Sequence, residues 1–179
     1  MSKLDPLLER NQSFAQAGGH DGVTPMPNHQ VLVISCMDHR VDPAHILGID
    51  LGDALVLRNL GGRVSDETIR DIAFIAALTE TMFGDEAPPF EVAVIHHTEC
   101  GSGFLADDDF RRGFADRVGA SEQELAAQAV TDPAQSVLAD VEALLASPLL
   151  PGRMSVSGHV YDVTSGLVTA VAAAVETAA

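Results

Sequence analysis

The stretch VLVISCMDHR, residues 31–40, decides the fold, together with EVAVIHHTEC, residues 91–100. Val31–Ser35 is a short run of β-branched and aliphatic residues that ends abruptly in polar ones. Such a run reads as a strand buried on both faces, the pattern of a parallel sheet. Glu91–Ile95 repeats it, and Ala54–Leu57 is a third example. Between the second and third runs lies a helix predicted over 66–83. Ser65 or Asp66 is placed to cap it, Glu67 sits in its first turn, and Gly84 can close it. Ile72, Ile75, Leu78 and Met82 recur at steps of three and four, which predicts a face packed on the sheet. Strand, helix, strand in this order implies a parallel crossover. The expected architecture is therefore α/β: one domain over 1–179, with a mostly parallel central sheet flanked by helices.

Outward from that centre the signals are simpler. Asp5–Ala17 reads as a helix carrying Leu7, Leu8 and Phe14, and a loop rich in Gly, Pro and Asn follows to Asn28. Beyond Cys100 the pattern is mainly helical, including 133–146 with Asp132 as cap and Pro133 in the first turn. Residues 154–166, MSVSGHVYDVTSG, alternate and then turn, which predicts an edge strand. The terminal LVTAVAAAVETAA is apolar but too short to span a membrane.

Composition sets limits on function. The 179 residues hold 10 Lys and Arg against 26 Asp and Glu, a formal charge of −16. That balance argues against nucleic acid and anionic membranes, which are bound through basic residues. It leaves a small-molecule substrate. The N-terminus lacks the apolar core of a secretory signal, so a cytoplasmic, reducing setting is expected. There, a lone cysteine pair is more often catalytic, metal-binding or simply buried than a disulfide.

The two cysteines, 64 positions apart, both follow strand ends. In open parallel sheets ligands bind outside the carboxyl ends of the strands, so Cys36 and Cys100 are delivered to one edge. His97, three residues before Cys100, can join them. Two thiolates and an imidazole form a three-ligand zinc set, and the absence of a third cysteine favours an open, catalytic site. Asp38 and Arg40 lie just beyond Cys36. A bidentate grip by Arg40 would keep Asp38 off the metal and free to accept a hydrogen bond from metal-bound water. Plainer readings stand beside these. Buried cysteines also serve as small apolar fillers, H-x-x-C alone is a weak signal, and Asp38 with Arg40 is also an ordinary ion pair. His96 should point away from His97 into core or interface. Arg58, Arg63 and Arg70 read as surface or interface residues, and Gly61-Gly62 as a turn. His39 and His45 are candidate proton shuttles. Gly101 opens a G-x-G that would let backbone approach a substrate.

C-x-D-x-R at Cys36–Arg40, followed about sixty residues later by H-x-x-C at His97–Cys100, resembles the β-class carbonic anhydrases. The flanking text LGIDLGDALVLRNLGG and GHVYDVTSG is similar to that family too. The compact bacterial branch, which includes enzymes acting on carbonyl sulfide and carbon disulfide, is the nearest in length. The resemblance implies Cys36, His97 and Cys100 as ligands of one Zn²⁺ per subunit, with Asp38 and Arg40 as the gating dyad. It implies a homodimer or larger homo-oligomer, with residues 1–28 packing on the partner. His39 departs from the pattern, since a small residue is common there. The implied activity is reversible hydration of CO₂ to bicarbonate and a proton. Zinc lowers the pKa of bound water to roughly 7, so hydroxide is available to attack the carbon. Two thiolates should make that water less acidic than three histidines would. Carbonyl sulfide hydrolysis at the same site is the alternative reaction. A non-catalytic zinc-binding module, closed by Asp38, is the alternative of another class.

Overall fold

In the computed structural model, which describes residues 2–177, the chain forms five strands in the order β2-β1-β3-β4-β5. They are β1 (Val31–Cys36), β2 (Leu55–Asn59), β3 (Glu91–His97), β4 (Ser155–Tyr161) and β5 (Val168–Glu176). The first four run parallel and β5 runs antiparallel to β4. The helices are α1 (Asp5–Gln16), α2 (Pro43–Ile46), α3 (Asp66–Phe83), α4 (Asp108–Val118), α5 (Glu122–Ala127) and α6 (Pro133–Leu145). None is long and apolar enough to cross a membrane.

Local chemistry explains the elements that position the site. Ser65 caps α3 by accepting from the Thr68 amide. Asp132 caps α6, its carboxylate accepting from the amides of Ala134 and Gln135 at 3.1 Å each. Leu32, Ile34, Val92, Val94 and Val156 on the strands meet Ile72 of α3 and Val137, Val141 and Leu144 of α6 in one buried core. Burying such side chains stabilises by roughly 1.5–3 kcal/mol each, which fixes the register of the central strands.

Three expectations change. β4 is an interior strand, not an edge. The edges are β2, expected to be buried on both faces yet burying none of its residues, and β5, built from the Ala-rich C-terminal segment and paired with β4. An Asx turn makes that pairing possible: Asp162 accepts from the amides of Thr164 and Ser165, and Gly166 takes φ +73° before the chain returns. On α3 the apolar stripe is only half used. Ile72 is fully buried and Ile75 packs on the core, while Leu78 and Met82 are exposed. α1 forms close to its expected range and buries none of its residues, with Leu7, Leu8 and Phe14 42–51% exposed.

Candidate metal centre and active site

Cys36 is the last residue of β1 and His97 the last of β3, the adjacent parallel strand. Three residues return the chain from His97 to Cys100. The turn needs left-handed backbone at Glu99, φ +55°, which is uncommon for a residue with a side chain. The result places the two sulfurs 3.9 Å apart and every pair of prospective ligand atoms in the trio within 4.8 Å. All three residues are buried.

The orientation of His97 follows from one bond. Its Nδ1 donates to the Thr98 carbonyl at 2.9 Å, because that oxygen can only accept. The proton is thereby placed on Nδ1, and Nε2 is left bare, buried and without a hydrogen-bond partner. A bare imidazole nitrogen facing two thiols is the donor set of a zinc ion, so the residues fit the metal that their chemistry suggests. The thiols form a coupled pair. The hydrogen bond from Cys36 pulls the Cys100 thiol far down, and His97 and Ser102 add to this against burial. The same bond, with burial, pushes Cys36 up. Ser102 Oγ lies 3.2 Å from Cys100 Sγ, and the Asp38 amide donates to Cys36 Sγ at 3.4 Å.

Beside the sulfurs, Arg40 grips Asp38 with both arms of its fork, Nη2 to Oδ2 at 2.7 Å and Nε to Oδ1 at 3.1 Å. The Arg40 amide adds a third bond at 2.9 Å. Arg40 is in turn tied to the Glu99 carbonyl at 3.0 Å and lies 3.4 Å from its carboxylate. These bonds, led by the Arg40 side chain, hold the Asp38 carboxyl well below the ordinary carboxylate range. Asp38 is an acceptor that stays ionised.

Sequence reading missed part of this centre. Arg58 is not a surface residue: it donates to the carbonyls of Cys36 (3.0 Å) and Asp38 (2.6 Å) and to the Asp42 carboxylate (2.7 Å). It clamps the loop that carries the dyad. The available signal was its place at the end of an apolar strand run, one residue before the partner of Cys36 in the β1–β2 register. Arg63 is bonded internally as well, to Asp140. Arg70 does lie on the surface, where its Nε donates to the Asp66 carbonyl. Gly61-Gly62 form more than a turn, since a Cβ on Gly62 would come within 3.0 Å of the Cys36 backbone nitrogen and both residues have positive φ. Of the two shuttle candidates, His39 is 94% exposed with Nδ1 3.7 Å from Asp38 Oδ1, and His45 lies beside Asp42 instead. Beside Gly101 there is open space. His96 points away from the trio, as alternation requires, and is fully buried.

An open, mostly parallel sheet with a Cys–His–Cys cradle and an aspartate–arginine pair at its carboxyl edge defines a metal-dependent α/β enzyme class. Residues 31–168 match the family model described as carbonic anhydrase, and the chain belongs to the β-carbonic anhydrase family. It is similar to beta-carbonic anhydrase 1 of Mycobacterium tuberculosis, 32% identical over 93% of this chain and 96% of that protein. It is also similar to a carbon disulfide hydrolase of Acidianus sp., 31% identical over 89% of this chain and 84% of that one. The crystal structure of carbonic anhydrase from Streptococcus mutans superposes with a TM-score of 0.76 at 33% identity, over 96% of this chain and 98% of that one.

Proposed function

We propose that this chain catalyses the reversible hydration of CO₂ to bicarbonate and a proton at a zinc ion held by Cys36 Sγ, His97 Nε2 and Cys100 Sγ. The observation that carries the reading is the convergence of those three ligand atoms beside an Arg40-gripped Asp38. When bound, zinc supplies a Lewis acid that lowers the pKa of a coordinated water to roughly 7. The chain's own residues do the rest. Asp38, held ionised, accepts a hydrogen bond from the attacking water and orients it. Arg40 keeps that carboxylate from becoming a ligand, and Arg58 holds the loop on which both stand. The proton released leaves past His39 at the rim. The space beside Gly101 admits the substrate to the backbone turn after Cys100.

Stopped-flow indicator assays on zinc-loaded protein at pH 8 to 8.5 test this, and an inactive protein with full zinc content would overturn it. The kinship with carbon disulfide hydrolases supports a second reading, hydrolysis of carbonyl sulfide or carbon disulfide at the same atoms. Sulfide released from those substrates, measured beside CO₂ hydration, decides between them. A non-catalytic module would instead show Asp38 on zinc at every pH by zinc-edge spectroscopy.

The single domain works in the cytoplasm as a homodimer or larger homo-oligomer, with residues 1–28 lying on the partner. The support is Leu4 with α1, whose Leu7, Leu8 and Phe14 stay about half exposed among the described residues. An apolar stripe of that kind is stabilised by burial against a second surface. Light scattering on the full chain and on a chain lacking residues 1–17 checks this, with monomer expected only for the latter.

A further inference from the structure

Behind the metal cradle, on the opposite side of the sheet from His97, lies a second charged cluster that the proposed chemistry does not use. Asp140 of α6 is 2% exposed. Its carboxylate takes two bonds from Arg63, Nε and Nη2 at 2.8 Å each, one from the Val64 amide at 3.0 Å, and one from His96 Nε2 at 3.1 Å. Burial alone would raise this carboxyl, and the bonds from His96 and Arg63 more than offset that, leaving it lowered. His96 Nε2 is also 3.1 Å from the Gly62 carbonyl. Both neighbours of that nitrogen only accept, so Nε2 carries the proton and is shared between them. Arg63 Nη1 continues to the Ala127 carbonyl at 2.7 Å.

A cluster placed there for stability alone is a poor use of buried charge, because apolar residues of similar shape stabilise as well or better. Apart from the Arg63 bond to Ala127, its bonds end on segments next to the ligands. His96 is the residue before His97. The Gly62 carbonyl belongs to the turn that packs on the Cys36 backbone, where a Cβ on Gly62 would sit only 3.0 Å from the Cys36 nitrogen. Val64 and Arg63 fix the far end of that turn. Asp140 thus ties three separate segments, residues 61–64, β3 and α6, to a single carboxylate.

We propose that Asp140 is a positioning residue for the metal site, acting through His96 and the Gly61-Gly62 turn to hold Cys36 and His97 at ligand spacing. This rests on the reading of Cys36, His97 and Cys100 as zinc ligands. The test is equilibrium zinc affinity by competition with a chromogenic chelator, together with the thiolate-to-metal absorption of the cobalt(II)-substituted protein. Asp140→Asn is expected to weaken zinc binding roughly tenfold and to shift the cobalt spectrum. Val141→Ala, one residue along the same helix, lowers thermal stability by removing core contact and is expected to leave both readouts at wild-type values. Wild-type zinc affinity in Asp140→Asn would overturn the inference, as would equal weakening in Val141→Ala. Where Asp140→Asn fails to fold, the double variant Arg63→Met, Asp140→Leu removes both charges together. It is expected to fold and still bind zinc more weakly, and wild-type affinity there would count against the inference equally. A wild-type chain that bound no zinc would instead overturn the reading of the site, and this inference with it.

Discussion

Two aspartate–arginine pairs flank the metal cradle, and they differ in almost everything but chemistry. Asp38 and Arg40 are two residues apart at the mouth, where the Arg40 side chain is 40% exposed. Asp140 and Arg63 are 77 residues apart and lie beneath the sheet, with side chains 3% and 16% exposed. Both are bidentate, and both hold an aspartate below its ordinary pKa. Solvent makes the difference. At the mouth, water competes for every bond, so the pair can part and re-form at little cost. Beneath the sheet, parting strands a charge in a medium that cannot solvate it. The mouth pair is therefore suited to a group that must release and re-grip during turnover, and the inner pair to one that must never move.

The sharpest way to break this contrast is to remove each arginine. Arg40→Ala is expected to cost roughly a hundredfold or more in CO₂ hydration while zinc content and thermal stability stay near wild type. Arg63→Ala is expected to act in the reverse sense, lowering unfolding free energy by about 3 kcal/mol because the Asp140 charge is left buried and unpaired. Urea titrations and metal analysis on both variants check the pair of statements. Should Arg40→Ala unfold the protein, or Arg63→Ala leave its stability intact, burial is not what separates the two pairs.

The mouth pair was legible in the sequence and the inner pair was not, for a physical reason. Cys36, Asp38 and Arg40 are fixed by local spacing at a strand end, and His97 and Cys100 by the same logic one strand away. Each short stretch carries its own geometry. Arg63 and Asp140 meet only because α6 packs over β3, a contact no local pattern encodes. A trace of it is nevertheless present. Asp140 falls within the buried stripe Val137, Val141, Leu144 of α6, where a lone carboxylate is costly without a partner. The parallel core was legible from Val31–Ser35 and Glu91–Ile95. β5 was not, because its alanines have weak strand preference and the strand exists through pairing with β4. Leu78, Met82 and the α1 leucines kept their helical spacing but found no cover in one chain, since periodicity predicts a face and not what lies against it.

Acid titration sharpens the comparison with a smaller effect. A carboxylate whose pKa is lowered by folding stabilises the folded state fully above its unfolded value, about 3.9. That contribution is lost as pH falls below this value and through the folded pKa, because the unfolded chain takes up the proton first. Asp140 is lowered and buried, so the wild type should lose stability steeply below about pH 4. Asp140→Asn has no such proton to take up and should show a shallower decline over the same range. Asp38 is also lowered, but its bonds are at the solvent-facing mouth, where screening reduces what they contribute to folding. Asp38→Asn should therefore follow the wild-type slope more closely than Asp140→Asn does. Urea unfolding between pH 2.5 and 6, with zinc removed from all three proteins so that ligand protonation is common to them, measures the slopes. Parallel curves for Asp140→Asn and wild type would mean that the inner carboxylate contributes no more to folding than the outer one.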